Sequence, residues 1–367
     1  MVYQKIKLNL KENSYDVLIG KNISIDNSKK IQFIAEREIL VVSDKNIPIA
    51  KFNSIYKSII DCKPCKIHSL KLKLNEKKKN NNSVSRIHNL LINKTYSRNS
   101  LIICIGGGIL SDVTGFAAAT FLRGIDFMLI PSTLLSQVDA SIGGKTGINH
   151  QKGKNLIGAF HQPKLVLIDI NLLKSLPKSE VSEGYAEIIK HCLIKDKKLL
   201  NWLEKKLSTS NHLKDKDLIK LIYRSIKIKA EIVQQDETEK NLRALLNFGH
   251  TFGHAFEALG GFKTYSHGQG VSLGILVALE VSKNYYSISE EDITRIKRIL
   301  KKVGLIIKPK TEISPDKVYN LMKIDKKRSQ NSLKFILLNK LGSAVIKEDV
   351  PKKIVINALK QSFKSLR

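Results

Sequence analysis

The sequence predicts an α/β fold in the first half of the chain, built on a parallel sheet, joined to a mostly α-helical second half. In the first half, short runs rich in β-branched residues alternate with stretches of helical periodicity, and strands separated by helices pair in parallel. After Pro177 the apolar residues recur at helical spacing and few strand patterns remain. A chain of 367 residues can form two hydrophobic cores. We therefore predict two domains, 1–175 and 176–367.

The individual elements follow from the same patterns. The strands predicted in the first half are 38–43, 101–105, 127–130 and 165–168. The helices predicted in the second half are 179–195, 218–236, 251–259, 270–286 and 290–303, with one strand at 333–338. Residues 71–82, rich in Lys and Asn, are predicted as a solvated loop or the frayed start of a helix.

The formal net charge of +30 raises the question of a nucleic-acid partner. Lys, Asn and Ile are all abundant, the lysines are scattered over many segments, and no aromatic–basic motif or zinc-finger spacing accompanies them. We predict no nucleic-acid partner, and interpret the charge as attraction for an anionic substrate.

Membrane and secretion signals are absent from the sequence. No segment has the roughly 18 consecutive apolar residues that a membrane helix needs, and residues 1–10 lack the apolar core of a signal peptide. We expect no membrane partner and a cytoplasmic location.

Four cysteines are too few for a disulfide framework. The single C-x-x-C of Cys62 and Cys65 has no second pair to complete a zinc site, so we interpret it as incidental.

A glycine-rich turn, Gly106-Gly107-Gly108, follows the predicted strand 101–105 and precedes a predicted helix. Glycines there allow close approach of a pyrophosphate, and a helix N-terminus supplies amide donors. A tight turn that needs positive φ is the alternative. Asp44, after an earlier strand, is an acceptor of the kind that ribose hydroxyls require, so the pattern favours a dinucleotide.

Three histidines lie within 18 positions, and two of them, His250 and His254, share one face of a predicted helix. His267 follows in a loop, and Glu187 is a carboxylate on an otherwise apolar helix face. Imidazoles and one carboxylate can bind a divalent ion and leave a position open for substrate. From spacing alone, both His250 and His254 are predicted ligands, although each histidine alone is more often a core residue.

Residues 139–155 form a predicted glycine-rich loop with several cations. Lys145, Lys154 and Asn155 could grip a phosphate or carboxylate, whereas Lys152 is interpreted as solvated surface. Gly144-Lys145-Thr146 resembles part of a phosphate-binding P-loop, but Asp139 stands where that motif requires its first glycine. A nucleoside triphosphatase is therefore not predicted.

Taken together, these motifs resemble the 3-dehydroquinate synthase family, a group of sugar phosphate cyclases, from about residue 40 to 340. The segments that carry the resemblance are 106–112, 137–145, 153–160, 184–187 and 247–254. It implies a dehydroquinate synthase-like fold and the conversion of 3-deoxy-D-arabino-heptulosonate 7-phosphate to 3-dehydroquinate and phosphate in the shikimate pathway. It also implies NAD⁺ that is not consumed, Zn²⁺ or Co²⁺ as the metal, and a homodimer.

The resemblance also implies a role for particular residues. Metal ligands would be Glu187, His250 and His267, so that His254 becomes a proton-handling residue. Residues implied to contact NAD⁺ are Asp44, Glu76, Lys79, Gly107, Gly108, Asp112, Ser132, Thr133, Lys145, Lys154, Leu172, Ser175 and Leu176. Residues implied to contact substrate or to act in catalysis are Arg123, Asp139, Lys145, Lys154, Asn155, Lys190, Lys229, Glu239, Arg243, Asn247, His254 and Lys327. Arg123 resembles an arginine that the family donates across its dimer interface, and Asp139 and Glu239 would orient the cations.

The sequence departs from the family pattern at a few positions. Asn75 and Asn241 stand where glycine is usual, and we expect asparagine to tolerate left-handed backbone there. Ser132 replaces a threonine and keeps the hydroxyl. The alternative readings are a polyol dehydrogenase of the same fold and a cyclase acting on another sugar phosphate; a dehydrogenase would release NADH and would have little use for the cluster of Lys145, Lys154 and Arg243.

Overall fold

The structure, a computed structural model of the chain, describes residues 4–23, 33–209, 213–261, 264–305, 313–327 and 334–366, with backbone alone at 324–327. The strands are β1 (Gln4–Leu8), β2 (Tyr15–Gly20), β3 (Glu38–Asp44), β4 (Lys66–Leu72), β5 (Ser100–Gly106), β6 (Asp126–Pro131), β7 (Lys145–His150), β8 (Gly153–Phe160), β9 (Leu165–Asp169), β10 (Phe335–Lys340) and β11 (Ser343–Lys347). The helices are α1 (Ile49–Asp61), α2 (Asn81–Asn93), α3 (Gly108–Thr120), α4 (Lys178–Lys195), α5 (Lys197–Thr209), α6 (Asp215–Gln235), α7 (His250–Leu259), α8 (His267–Lys283), α9 (Glu290–Lys302), α10 (Pro315–Lys327) and α11 (Lys352–Leu366).

The chain divides into two compact units. The first comprises Met1–Pro177 and Asp215–Glu237, and the second comprises Lys178–Lys214 and Thr238–Arg367. The sequence predicted a boundary at 175/176. Helix α6 lies after that boundary in sequence but belongs to the first unit. The buried face of α6, which includes Leu221, Ile222 and Val233, packs against β1 and β2. Periodicity shows that a helix has an apolar face, but not which core that face joins.

The first unit is built on a seven-stranded sheet of order β1-β2-β9-β6-β5-β3-β4. All neighbouring pairs are parallel except β1 with β2, so β1 is an antiparallel edge strand. Residues 101–105 of the interior strand β5 are fully buried, as expected for a strand covered by helices on both faces. The predicted α/β fold with a parallel sheet is confirmed, and β3, β5, β6 and β9 coincide with the four predicted strands.

The second unit is mostly helical and is organised around α8. Residues 270–282 of this helix are all buried, which is the burial of a central core helix. Helices α4, α7, α9 and α11 and the strand β10 contact it. The strand predicted at 333–338 is one arm of an antiparallel hairpin, β10–β11, and the helical second half is confirmed. None of the helices in the described parts of the chain is long and apolar enough to cross a membrane.

Candidate active site

Most of the residues implied to contact NAD⁺ lie at one edge of the sheet in the first unit. Asp44 ends β3, Gly107 and Gly108 follow β5, and Ser132 and Thr133 follow β6. The turn that contains Glu76 and Lys79 follows β4, and the 3-10 segment Ile170–Ser175 follows β9. Because these strands are parallel and adjacent, their carboxyl ends share an edge. Ligands of open α/β sheets bind in the crevice outside that edge.

The glycine turn brings the start of α3 close to the neighbouring segments. Gly107 is the N-cap of α3, and a Cβ there would lie 3.2 Å from Cγ2 of Thr133. A Cβ at Gly108 would lie 3.1 Å from Cβ of Ala140. The first amides of α3 can therefore face an anion without side chains in the way, which suits a pyrophosphate.

Lys79 is a buried cation, 4% exposed, in the turn after β4. Its Nζ donates to Oδ2 of Asp112 on α3 and to Oδ1 of Asn155 on β8, each at 2.5 Å. Burial raises the pKa of Asp112, and the neighbouring Lys79 charge opposes that rise. The three side chains form a polar network that joins the turn after β4 to α3 and to β8.

Asn149 connects the same segments through its side chain and its backbone. Nδ2 donates to the backbone oxygen and to Oε1 of Glu76, at 3.0 and 2.8 Å, and Oδ1 accepts from the amide of Asn155 at 2.9 Å. The backbone amide of Asn149 donates to the carbonyl of Lys79 at 2.8 Å. Asn155 has a φ of +55°, a left-handed conformation that this contact helps to hold.

The cationic stretch predicted as a loop at 139–155 contains a hairpin, β7–β8. Lys145 begins β7, and Lys154 and Asn155 lie near the start of β8, so the hairpin presents all three. The glycines that predicted a loop are instead paired within strands, because residues such as Gly147 and Gly158 lie opposite each other in the β7–β8 ladder.

Two further predicted residues of the first unit lie outside this hairpin. Arg123, after α3, is exposed. Asp139, in a single π-helical turn, accepts from Lys229 of α6 at Oδ1 and at its backbone oxygen, at 2.6 and 2.7 Å.

In the second unit, Glu187, His250 and His267 offer ligand atoms that lie within 4.8 Å of one another. Oε1 of Glu187, on α4, lies 3.4 Å from Nε2 of His250 and 3.2 Å from Nε2 of His267. Helix α7 begins with His250 and α8 begins with His267, so each imidazole stands at a helix start. His254 is exposed and lies outside this group, with its ring 5.6 Å from that of His250.

Both imidazoles are fixed through Nδ1. His267 Nδ1 lies 2.9 Å from Oε1 of Glu257, a side chain only 5% exposed, and His250 Nδ1 lies 3.3 Å from the carbonyl oxygen of Phe248. Both partners are acceptors, so each Nδ1 carries hydrogen and each Nε2 faces Glu187. Metal-binding histidines are held in this way by carboxylates and carbonyls. Two imidazole nitrogens and one carboxylate are donors that Zn²⁺ and Co²⁺ accept.

The pKa shifts at this cluster indicate that its carboxylates favour a positive charge beside them. Burial raises the pKa of Glu187, but Lys190, which pairs with its Oε2, and His250 hold that pKa well below the usual value. Burial lowers the pKa of His250, with Lys190 acting in the same direction. Burial also lowers the pKa of His267, but hydrogen bonds to Glu187 and Glu257 outweigh it and raise the pKa to about 10. A bound dication would meet the same demand for positive charge.

The helices that carry the imidazoles approach at paired glycines. A Cβ at Gly253 of α7 would lie 3.1 Å from the carbonyl of Gly270 on α8, and one at Gly270 would lie 3.0 Å from the oxygen of Gly253. A Cβ at Gly274 would overlap the oxygen of Gly249, which precedes His250. Backbone-to-backbone packing of α7 and α8 therefore depends on small residues, and it sets the spacing of His250 and His267.

Other predicted residues of the second unit lie on α4 and on the segment before α7. Lys190 and Arg243 are 2% and 1% exposed, and Asn247 donates to Oε1 of Glu239 at 2.9 Å. Lys327 ends α10, and its side chain lies outside the described residues. The tolerance of asparagine for left-handed backbone is not needed at Asn75 and Asn241, because their φ values are −141° and −146°. Asn75 instead caps a 3-10 turn by accepting from the amide of Lys78.

Two residues that contribute to these arrangements were not predicted: Asn149 and Glu257. Glu257 follows His250 by seven positions on α7, so helical spacing places both on one face and could have revealed it. Asn149 lies inside the cationic stretch, but one of its partners, Glu76, is 73 residues away in sequence. Nothing in the sequence alone indicates that contact.

Comparison with known proteins gives matches along the whole chain. The family described as 3-dehydroquinate synthase N-terminal matches residues 69–183, and that described as 3-dehydroquinate synthase C-terminal matches residues 184–328. A 3-dehydroquinate synthase of Prochlorococcus marinus strain MIT 9211 is 42% identical over 99% of this chain and 98% of the relative. One of Pseudomonas putida strain W619 is 38% identical over 99% of each chain.

Solved structures show the same fold at lower identity. The 2-epi-5-epi-valiolone synthase of Streptomyces hygroscopicus subsp. jinggangensis 5008, with NAD⁺ and Zn²⁺ bound, has a TM-score of 0.86 and 24% identity, covering 97% of this chain and 98% of that one. A 2-deoxy-scyllo-inosose synthase complexed with carbaglucose-6-phosphate, NAD⁺ and Co²⁺ has a TM-score of 0.85 and 23% identity, covering 98% and 99%.

Proposed function

The chain belongs to the 3-dehydroquinate synthase family, and on this premise we propose how its residues carry out the reaction. The enzyme, a carbon–oxygen lyase, converts 3-deoxy-D-arabino-heptulosonate 7-phosphate to 3-dehydroquinate and phosphate in the shikimate pathway. The reaction oxidises the substrate transiently, eliminates phosphate, reverses the oxidation and closes the ring by intramolecular aldol addition. The assignment of this activity rests on a sequence identity of 42% to a relative over nearly the whole chain.

The cofactors are NAD⁺ and a divalent metal, Zn²⁺ or Co²⁺, as in the two solved structures of this fold. When bound, NAD⁺ accepts and returns a hydride, and the metal lowers the pKa of a coordinated hydroxyl. We assign NAD⁺ to the carboxyl edge of the sheet in the first unit, with the pyrophosphate at the start of α3. We assign the metal to Glu187, His250 and His267 in the second unit, supported by the two Nε2 atoms that face Glu187.

In the first unit, the hairpin residues Lys145, Lys154 and Asn155 bind substrate and cofactor through charge and hydrogen bonds. Lys145 and Lys154 stabilise negative charge on the departing phosphate, because fixed cations favour developing anions. Lys229 holds Asp139 at 2.6 Å, so Asp139 serves to orient cations rather than to exchange protons.

In the second unit, His254 on α7 holds or releases a proton toward the substrate. Its exposed imidazole stands one turn beyond His250, so it lies beside the proposed ligands without joining them. Lys190, Arg243, Asn247 and Lys327 are assigned to bind substrate oxygens. The contact from Asn247 to Glu239 positions that amide.

A phosphate-release assay tests the proposed function. With 3-deoxy-D-arabino-heptulosonate 7-phosphate, NAD⁺ and Zn²⁺, we expect stoichiometric phosphate and 3-dehydroquinate without net accumulation of NADH. A polyol dehydrogenase would accumulate NADH, and a cyclase for another sugar phosphate would leave this substrate unchanged while turning over a hexose 6-phosphate. Either result would contradict the assignment.

We also propose that the enzyme is a cytoplasmic homodimer in which Arg123 acts on the partner's substrate. Arg123 is exposed, and Leu122, Leu156 and Phe160 of the same unit are apolar side chains with 40%, 53% and 46% exposure. Mixing the inactive variants Arg123→Ala and Glu187→Gln tests this directly. Action across the interface restores one complete site in each mixed dimer, whereas action within one chain restores none.

A further inference from the structure

The start of α8 is held by a carboxylate, Glu183, that lies outside the proposed set of metal ligands. Glu183 of α4 accepts from the amide of Gly268 at Oε2, at 2.5 Å, and from the hydroxyl of Ser266 at Oε1. Ser266 is the N-cap of α8 and Gly268 is its second residue, so the two contacts lie on either side of His267. One carboxylate thus accepts hydrogen bonds from the residue before and from the residue after a proposed metal ligand.

Glu183 lies one helical turn before Glu187 on the same helix. Residues four apart share a helix face, so α4 supplies Glu187 and also holds the segment that supplies His267. The 3.2 Å separation of Glu187 Oε1 from His267 Nε2 depends on how α4 and the start of α8 lie against each other. Both residues belong to the second unit.

The packing at Gly268 supports a fixed geometry at this contact. A Cβ at Gly268 would lie 2.9 Å from Cα of Glu183 and 3.1 Å from its Oε2. The backbone of α8 therefore touches the backbone of α4 at this point, and a short carboxylate bond fits only because residue 268 is glycine.

The start of α8 already has its own cap. Ser266 and Gln269 form a capping box, in which the Ser266 hydroxyl accepts from the amide of Gln269 at 3.4 Å and the Gln269 side chain accepts from the amide of Ser266 at 3.0 Å. This motif already satisfies two amide donors at the start of the helix. The contacts of Glu183 therefore do more than start α8, because they fix its start to α4.

We propose that Glu183 is a positioning residue that aligns His267 with Glu187 for metal binding. This inference rests on the proposed metal role of Glu187, His250 and His267. This positioning role requires a long enough side chain, here called reach, as well as an acceptor, because the carboxylate must span from α4 to two points at the start of α8. Loss of reach should therefore weaken metal binding even when the charge is kept.

Three substitutions separate reach from charge. Glu183→Gln keeps the length, and its amide can accept from Gly268 and donate to Ser266. Glu183→Asp keeps the charge but is one methylene shorter, and Glu183→Ala removes both. We expect Zn²⁺ binding close to the parent's for Glu183→Gln, and weaker by about 10-fold for Glu183→Asp and Glu183→Ala, as for other residues that support metal ligands. Glu291→Ala, at an exposed glutamate of α9 in the same unit, is the control and should not change binding.

The affinities are measured on NAD⁺-free protein by competition for Zn²⁺ with a chromophoric chelator, and the visible spectrum of bound Co²⁺ reports the ligand geometry. Far-UV circular dichroism and the melting temperature of each metal-free variant identify the temperature range in which it is folded. If Glu183→Ala does not fold, the comparison of Glu183→Asp with Glu183→Gln decides. A tighter Glu183→Asp than Glu183→Gln would mean that charge at the helix start matters and reach does not, which overturns the inference.

Parental affinity and an unchanged Co²⁺ spectrum in Glu183→Asp and in folded Glu183→Ala would also overturn it. The proposed metal site itself is tested separately by Glu187→Gln in the same assay. If Glu187→Gln binds Zn²⁺ as the parent does, the metal assignment fails. If Glu187→Gln loses Zn²⁺ while the Glu183 variants keep it, the inference about Glu183 alone is wrong.

Discussion

Oε1 of Glu257 lies 2.9 Å from Nδ1 of His267, and this contact turns Nε2 of His267 toward Glu187. We predict that Glu257→Gln weakens Zn²⁺ binding by about 10-fold, because the neutral amide leaves the imidazole a poorer donor to the metal. Competition with a chromophoric chelator measures the change. Glu280→Gln is the matched control, since Glu280 is also 5% exposed and lies on α8. Equal loss in both variants would attribute the effect to burial of an amide.

Removing the metal should destabilise the parent protein but not a ligand variant. We predict that Zn²⁺ raises the melting temperature of chelator-treated parent protein, because a ligand at 100 times its dissociation constant stabilises the folded state by about 2.7 kcal/mol. Glu187→Gln should show little response to Zn²⁺ and at least about a 100-fold slower release of phosphate. A parental Zn²⁺ response and parental turnover in this variant would contradict the assigned ligands.

The side chain of Asn149 should contribute to NAD⁺ affinity without affecting the metal. Asn149→Ala removes the bonds to Glu76 and to the amide of Asn155, and each is worth about 1 kcal/mol. We predict that the dissociation constant for NAD⁺ rises about 10-fold by isothermal titration calorimetry, while that for Zn²⁺ does not change. Asn53→Ala, at an exposed position of α1 in the same unit, is the control. A parental NAD⁺ affinity in Asn149→Ala would count against this role.

Much of the fold could be predicted because buried strands and helices have simple, regular patterns of apolar residues. The strands β3, β5, β6 and β9 are apolar runs covered on both faces, and their positions agree with the sequence prediction. Strand β4 was not predicted as a strand, because all but its last residue are half-buried or exposed at the sheet edge. The hairpin β7–β8 was not predicted because every residue of β8 is exposed or half-buried and the strand carries lysine and glycine. Such exposed strands show little hydrophobic periodicity, so the sequence pattern does not reveal them.

The site was predictable where residues share one helix or one motif. His250 and His254 could be paired by spacing, but the choice of His267 over His254 as a ligand came from family resemblance. The structure places Nε2 of His267 near Glu187 because α4 and α8 meet there, 80 residues apart in sequence. Contacts such as Glu183 to Gly268 depend on the same meeting of two helices, which no local pattern encodes.

Stability at low pH should depend on Glu38, at the start of β3. Burial raises the pKa of this carboxyl, but Lys66 at 2.7 Å and donors of Ser97 and Ser100 outweigh it and lower the pKa from 4.5 to about 2. A lowered folded-state pKa means that the carboxylate stabilises the protein above pH 4.5 and that this stabilisation is lost as the pH falls toward 2.

We therefore predict that Glu38→Gln lowers the free energy of unfolding by about 2 kcal/mol near neutral pH. The difference between parent and variant should shrink as the pH falls from 4.5 toward 2. Urea unfolding of both proteins across this range measures it. A difference that is constant with pH would mean that the charge of Glu38 contributes nothing.

Close packing of α7 on α8 should limit what can replace Gly274. A Cβ there would overlap the carbonyl oxygen of Gly249, directly before His250, so α7 must move away from α8 to admit it. We predict that Gly274→Ala destabilises the protein by about 1–3 kcal/mol, as overpacking in a core does, and that Gly274→Ser costs more. Because α7 carries His250 and α8 carries His267, the same shift should weaken Zn²⁺ binding in that order. Urea unfolding and chelator competition measure the two effects, and a stable Gly274→Ala protein with parental Zn²⁺ affinity would show that the helices can separate without moving the ligands.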